Sequence, residues 1–391
     1  MAALLMLSPA PVIEIPGREV LLDVDFVEGM KLHCQFWPGR VSCVLRRGAV
    51  AIPGGKRFSR RRLGFDIVLL DPDEPLPEVL IAEANLVYCS ADDARYLNLP
   101  QMTNGRLTRL VYTLENAPGL RLASVLGDHQ RDVWRRIRSV IWLLRNESAL
   151  RTALRAADGV QFNGFPAYSA YRRLHRDNLM YLDNRLRTPM LARAVDQQAR
   201  SDRLRKGAPL MLVHVGPLEQ ASGVSDLLQA AHLLKLRGVD FRLELFGEGS
   251  MAGRLRDGVS ALGLGQQMLL RGSVKFDTEL VPHLRQKADL LLAPRRQSDP
   301  VSIYIEAMGC GVPVLGYANA TWRNLKAESG GGWLCRTGSV SALVRTLVRL
   351  DGDREAIFRA SASALEFARA HTFEHVFARR MTHLRDIARL E

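Results

Sequence analysis

The chain is poor in the features that mark several large protein classes. Its five cysteines (Cys34, Cys43, Cys89, Cys310, Cys335) are odd in number and scattered, with no Cys-x-x-Cys or Cys/His pairing, so neither a disulfide framework nor a zinc site is expected. Apolar runs such as Ala2–Leu7 and Ile67–Leu70 fall far short of the roughly 20 residues of a spanning helix, and no cleavable leader is legible. A cytoplasmic protein is expected. There is no short-period repeat, no low-complexity tract and no recognisable nucleic-acid-binding module, so nucleic acid is not an expected partner.

What is present is length, apolar content and an uneven charge. With 391 residues and 47% apolar residues the chain can bury two cores. Residues 1–206 carry 31 Lys/Arg against 22 Asp/Glu, leaving 23 against 19 for the remainder. The N-terminal half therefore faces something anionic; nucleic acid, phospholipid head groups and a phosphorylated substrate all fit, and charge alone does not choose among them.

From Leu210 onward, strand and helix patterns alternate. Leu210–Val215, Phe241–Phe246, Met268–Leu270, Leu290–Ala293, Val312–Leu315 and Gly332–Cys335 read as near-continuous apolar strands. Between them lie helical patterns at Ser225–Arg237, Met251–Leu262, Thr278–Gln286, Ser302–Met308 and Val340–Leu350. That is an α/β, doubly wound parallel sheet. The first half repeats the pattern, with strands near Ala3–Leu7, Val41–Leu45, Phe65–Leu70, Leu86–Cys89, Leu110–Thr113, Gly159–Phe162 and Leu179–Leu182. The polar Arg200–Pro209 reads as a linker. Two Rossmann-like domains facing a cleft are expected, residues 1–204 and 205–372, with a C-terminal helix (373–391) packing back on the first.

The segments LVHVGPLEQASGVSDLL, LFGEGS, LLRGSV and above all SDPVSIYIEAMGCGVPVLGY resemble family 4 of the glycosyltransferases, retaining enzymes of the GT-B fold, in a bacterial polysaccharide-type branch. The resemblance implies that Glu306 binds the ribose of a UDP- or GDP-sugar, as a carboxylate accepting two hydroxyl hydrogen bonds can. It implies that Val301, Ser302, Ile303 and Tyr304 present a helix start to the diphosphate, and that Gly216, Ser222, Gly247, Gly249 and Ser273 also line the donor site. Ser298 stands where the family has a second Glu, with Asp299 beside it. Pro217 and Ser222 stand where the family has an Arg and a Lys that neutralise the leaving diphosphate. Arg295 and Arg296 are the substitutes nearest in sequence, and Glu115, after a strand, is a further candidate for a donor-sugar contact. Attack on the same face as the departing phosphate is implied, needing neither a cofactor nor a metal.

Asp23-Val24-Asp25 and Asp71-Pro72-Asp73 have the form of a metal-binding pair, but both lie outside the nucleotide half and read as loop acids. His129 and His214 read as ordinary loop and strand residues. His129–Arg145 reads as a basic helix with Val133, Trp134, Ile137, Val140, Ile141 and Leu144 on one face, Arg131, Arg135 and Arg138 opposite and Trp142 at the border. Either a core-facing helix or a membrane-surface anchor fits. Lys56–Arg62 adds a basic loop. A lipid-linked or glycan acceptor on an anionic membrane, at the inner face of the plasma membrane, is the expectation. A non-catalytic glycosyltransferase-like subunit binding a glycan or a protein is the alternative.

Overall fold

In the computed structural model, residues 2–52, 54–121, 133–298 and 302–390 are described. The chain forms two compact units, one of Met1–Tyr181 with Phe377–Glu391 and one of Leu182–Val376.

In the first unit, chain order runs β1 (Ala2–Leu7), β2 (Ile13–Ile15), β3 (Glu19–Leu22), α1 (Val24–Phe36), β4 (Gly39–Arg46), β5 (Lys56–Ser59), β6 (Asp66–Leu70), α2 (Glu78–Ala82), β7 (Leu86–Ser90), α3 (Leu99–Thr103), β8 (Arg109–Leu114), α4 (Val133–Ala156), β9 (Gly159–Asn163), α5 (Phe165–Tyr171) and β10 (Asn178–Tyr181). Seven strands make a parallel sheet in the order β10-β9-β8-β7-β1-β4-β6, and they are the seven expected. Apolar residues at nearly every position of β7 bury that strand on both faces, and β9 is buried throughout although it carries the polar Gln161 and Asn163.

Three elements differ from expectation. The basic Lys56–Arg62 stretch is not a loop: Lys56–Ser59 pairs antiparallel with β3 in a three-stranded sheet, and Arg60–Arg62 forms a 3₁₀ turn. The short strands β2 and β3 went unread because three or four residues give too little alternation to register. Asp23 is the N-cap of α1, its Oδ1 accepting from the backbone N–H groups of Asp25 (2.8 Å) and Phe26 (3.1 Å). The pair read as Asp-x-Asp is thus a helix start.

The second unit holds α6 (Ala194–Arg205), β11 (Leu210–Val215), α7 (Val224–Leu236), β12 (Phe241–Phe246), α8 (Ala252–Ala261), β13 (Met268–Gly272), α9 (Val281–Gln286), β14 (Leu290–Ala293), α10 (Ser302–Gly309), β15 (Val314–Tyr317), α11 (Ala320–Ser329), β16 (Gly332–Cys335), α12 (Val340–Gly352) and α13 (Arg354–Arg369). Its parallel sheet runs β13-β12-β11-β14-β15-β16. Leu212, Leu243, Leu245, Leu290, Leu292 and Leu315 form its buried centre.

The expected linker is largely helix α6, and the units divide at Tyr181/Leu182. The reason is Arg200, whose buried guanidinium donates to the carbonyls of Ala288 (2.9 Å), Gly311 (2.7 Å), Leu284 (3.2 Å) and Cys310 (3.1 Å). These buried carbonyls, of which Gly311 O also accepts from the Ser361 hydroxyl, draw much of their hydrogen bonding from Arg200, so α6 is built into the second unit. A last helix, α14 (Phe373–Ala388), begins in the second unit and continues into the first. There Phe377 stands edge-on to His33 (4.9 Å) and Phe36 (5.4 Å), and Arg380 donates to Tyr88 Oη at 2.7 Å.

Candidate functional site

The order of the second sheet reverses between β11 and β14, the first and fourth of its strands in sequence. At such a switch point the loops leaving neighbouring strands run in opposite directions and open a crevice at the carboxyl edge. The loops after β11, β12, β13 and β14 all emerge there. They contain Gly216 and Ser222, Gly247 and Gly249, Ser273, and Arg295 to Ser298 respectively.

Three of these loops interlock through the backbone. Gly216 N donates to Phe246 O (3.0 Å), Gly247 N to Gly272 O (2.9 Å), Leu218 N to Glu248 O (2.8 Å) and Met251 N to Leu218 O (2.9 Å). A Cβ on Gly247 would lie 2.0 Å from Gly216 O, and one on Gly249 would lie 2.5 Å from Leu218 O. These glycines are therefore required by chain crossing, whatever else they contact. Glu219 fastens the same turn, accepting from Ser250 N at 2.7 Å and from the Ser250 hydroxyl. Hydrogen bonds from that hydroxyl and that N–H hold its carboxyl below the usual range. Ser222 is buried in the 3₁₀ turn before α7, whereas Ser273 is exposed just past β13.

The strap after β14 is pinned from the other side. Asn319, N-cap of α11, donates to Arg295 O (3.0 Å), while Ala320 N donates to Ser298 Oγ (2.9 Å) and Thr321 Oγ1 to Ser298 O (2.9 Å). Ser298 thus anchors the strap. Arg295 Nη1 approaches to 4.0 Å of where a Cβ on Gly216 would stand, so its head reaches the β11 loop. Arg296 is engaged elsewhere, on Asp226 of α7 at 3.0 Å, and Tyr317 donates to the same carboxylate at 2.7 Å. Asp299 and Val301 lie outside the described residues.

Helix α10 begins at Ser302. Ile303 is buried, and the fully buried Tyr304 ring stacks on Trp322 at 5.4 Å. Those two side chains serve the core, so only their backbone can face a ligand. Glu306, one turn in, is 0% exposed. Its Oε1 accepts from the backbone N (3.2 Å) and Nε (3.0 Å) of Arg185, and its Oε2 from Arg185 Nη2 (3.1 Å). The Arg185 guanidinium in turn lies 4.1 Å from the centre of the Phe276 ring. Neither Arg185 nor Phe276 was read as a site residue, because a pairing across 121 positions such as that of Arg185 with Glu306 leaves no periodicity.

His214 on β11 is a core residue, its Nδ1 bonded to Leu292 O (2.9 Å). Burial pushes its pKa down to about 4.

In the first unit, the carboxyl edge holds a cavity of about 510 Å³. Leu97, Trp142, Leu143 and Leu150 line it together with the Asp92–Arg121 ion pair (2.8 Å). Glu115 lies beside this edge, its backbone N donating to Asp92 Oδ2 at 2.8 Å. Of the residues expected on the two faces of α4, the side chains of Val133, Arg135 and Ile137 lie outside what is described. Trp134 (71% exposed), Ile141, Trp142 (59% exposed) and Leu144 stand in solvent with Arg138 and Arg145, while Leu150, Ala153 and Leu154 further along are buried. His129, Arg131 and the start of the expected helix lie outside the described residues. Among the described residues no helix is long and apolar enough to cross a membrane.

Residues 195–362 match the family described as glycosyl transferases group 1. The amylovoran biosynthesis glycosyltransferase AmsK of Erwinia amylovora is 28% identical over 149 residues, 36% of either chain. The 2-deoxystreptamine N-acetyl-D-glucosaminyltransferase of Streptomyces fradiae is 32% identical over 99 residues, 25% of this chain and 23% of its own. The matched stretches thus span about a quarter to a third of these curated relatives. Among solved structures, Anabaena HepE in complex with UDP superposes with a TM-score of 0.65 at 14% identity, covering 98% of each chain. Sucrose-phosphate synthase from Thermosynechococcus elongatus superposes with 0.66 at 15% identity, covering 99% of this chain and 98% of its own. The shared fold is that of the GT-B glycosyltransferases, two parallel-sheet α/β domains.

Proposed function

We propose, on the premise that residues 195–362 form a glycosyl transferases group 1 domain of the GT-B fold, that this protein transfers a sugar from a nucleoside diphosphate sugar in bacterial polysaccharide or cell-surface glycan synthesis. The observation that carries the reading is Glu306, a wholly buried carboxylate one turn inside the helix that opens after the switch strand. A carboxylate is costly to bury in an apolar helix unless it is paired, a need that Arg185 meets in this structure. A ribose diol, with two hydroxyl donors, suits its two oxygens.

The donor is a UDP- or GDP-sugar, with Glu306 on the ribose, the backbone at Ser302 to Tyr304 toward the diphosphate, and Gly216, Gly247, Gly249 and Ser273 lining the site. UDP in the HepE structure and the GDP-mannose-dependent mannosyltransferase from Mycobacterium tuberculosis, 29% identical over 163 residues, support these two nucleotides. Transfer proceeds with retention and without a metal. The leaving diphosphate draws on Arg295, whose head lies by the β11 loop. The first unit offers an acceptor, lipid-linked or a growing glycan, the cavity by Glu115. It contacts an anionic membrane through α4 and the basic β5 edge, which fits a peripheral protein on the cytoplasmic side of the membrane.

The experiment is calorimetric titration of UDP and GDP into the wild type and Glu306→Ala. Loss of charge-assisted bonds costs about 1.5–3 kcal/mol, so affinity falls roughly 10- to 150-fold in a folded variant. Unchanged affinity removes the reading. Pro217 and Ser222 favour a second reading, a non-catalytic glycan- or protein-binding subunit. It prevails if nucleotide binds but neither transfer nor donor hydrolysis occurs with any sugar nucleotide.

A further inference from the structure

The Arg185–Glu306 pair fits neither an idle donor site nor an ordinary surface salt bridge. A carboxylate offers about four acceptor directions, and Arg185 alone fills three of them, from its backbone N–H and two guanidinium nitrogens. Both hydroxyls of a ribose cannot join that set. If Glu306 holds ribose, as the function proposed above requires, Arg185 must withdraw.

The two partners are unequally placed for such an exchange. Glu306 is 0% exposed, whereas the Arg185 side chain is 60% exposed. A buried carboxylate needs a donor at all times, since an unpaired one pays its desolvation in full. The guanidinium can leave into water at small cost. Its contact with the Phe276 ring gives it a pivot that does not depend on Glu306.

At a neighbouring place the cation described so far is Arg295, by the β11 loop. Ser302, at the start of α10, precedes Glu306 by four residues on the same helix face, about 6 Å along the axis. That is within the reach of an arginine side chain. The cations expected near the diphosphate are replaced by Pro217 and Ser222, and Arg296 is committed to Asp226.

We infer that Arg185 is a donor-binding residue that works by exchange. The ribose of the nucleotide takes its place on Glu306, and the released guanidinium turns onto the diphosphate. The swap keeps the carboxylate hydrogen-bonded and the guanidinium ion-paired before and after binding, and it selects ligands that present a diol and a diphosphate together. Arginine suits the second half of the swap because its planar fork meets phosphate oxygens two at a time.

The test is titration of four probes, UDP, GDP, uridine and guanosine, into full-length wild type, Arg185→Ala, Arg185→Gln and Arg185→Lys. Exchange predicts that Arg185→Ala weakens binding of the preferred diphosphate by about 10-fold or more. The matching nucleoside binds as well as before, or more tightly, since nothing has to be displaced. Should the alanine variant fail to fold around an unpaired Glu306, Arg185→Gln keeps a donor for the carboxylate without the charge and should show the same split. Arg185→Lys should retain most of the preference for diphosphate. Tightening of diphosphate and nucleoside alike in Arg185→Ala or Arg185→Gln would make Arg185 a plain obstruction, and no change in either would mean that the pair stays closed; each result overturns the inference. Failure of the underlying donor site reads differently, as Glu306→Ala binding the diphosphate as well as wild type.

Discussion

The two units use the same architecture and finish its functional edge in opposite ways. In the second, the loops leaving the sheet are knotted to each other by backbone hydrogen bonds and glycine crossings, and the one buried acid of α10 is already paired. In the first, the corresponding edge carries a cavity of about 510 Å³ and a helix with tryptophans in solvent. A closed, backbone-built edge suits a ligand whose invariant part is a nucleotide. An open edge built from side chains suits a partner recognised through side chains.

The sharpest way to break the contrast is a single methyl group. Gly247→Ala places a Cβ 2.0 Å from Gly216 O at a φ of +135°, so the crossing cannot form and a loss on the order of 4 kcal/mol or more in denaturant melts is expected. Gly105→Ala in the first unit, at a φ of +74° with nothing within 4 Å, should cost only about 1–2 kcal/mol. Equal costs would mean that the loops of the second unit are not held by their crossings. Next in size is Arg295→Ala, expected to lower kcat about 100-fold with a smaller change in KM, as for a group that acts mainly on the departing charge. An unaltered kcat in a transfer assay would leave the diphosphate to other cations.

The open edge is tested with vesicles. Trp134→Ser with Trp142→Ser should reduce binding to anionic vesicles several-fold, and Arg138→Glu with Arg145→Glu should do so most at low salt, at about 1 kcal/mol per charge near the surface. Equal binding of wild type to neutral and anionic vesicles would detach α4 from membranes. Smallest is a pH effect shared by both units. Burial holds His33 in the first and His214 in the second down to about 4, so both are neutral when folded and take up protons near 6.5 when unfolded. Between pH 6.5 and 4 the unfolded chain binds more protons, and stability falls as pH falls, by up to about 1.4 kcal/mol per pH unit for each histidine. His214→Asn should flatten that slope in urea titrations; an unchanged slope would place the acid sensitivity elsewhere.

The sequence carried the parallel sheets well because a strand covered on both faces needs unbroken apolar residues, as in Leu290–Ala293. It carried the antiparallel β2, β3 and β5 poorly, since short two-sided strands show little alternation. Glu306 stood out as the lone acid in an apolar helix. Its partner Arg185 did not, being one of many arginines and 121 positions away. Arg200 shows the same limit: a polar run reads as a linker until the carbonyls that its guanidinium satisfies are known.

The path of α14 has a consequence for the order of manufacture. The first unit is discontinuous: its last piece, Phe377–Glu391, follows the whole of the second unit. At ribosomal speeds of about 5–20 residues per second, the roughly 200 residues of Leu182–Val376 separate the two pieces by about 10–40 s. During that interval the nascent first unit presents the patch at His33, Phe36 and Gly159 that Phe377 and Ile387 later cover. Ile387 closes over Gly159, its Cδ1 2.1 Å from where a Cβ would stand, so a larger residue there would push the Ile387 side chain aside. The half of the protein made first is therefore completed last, and a ribosome that stops before residue 377 releases a chain with this hydrophobic patch bare.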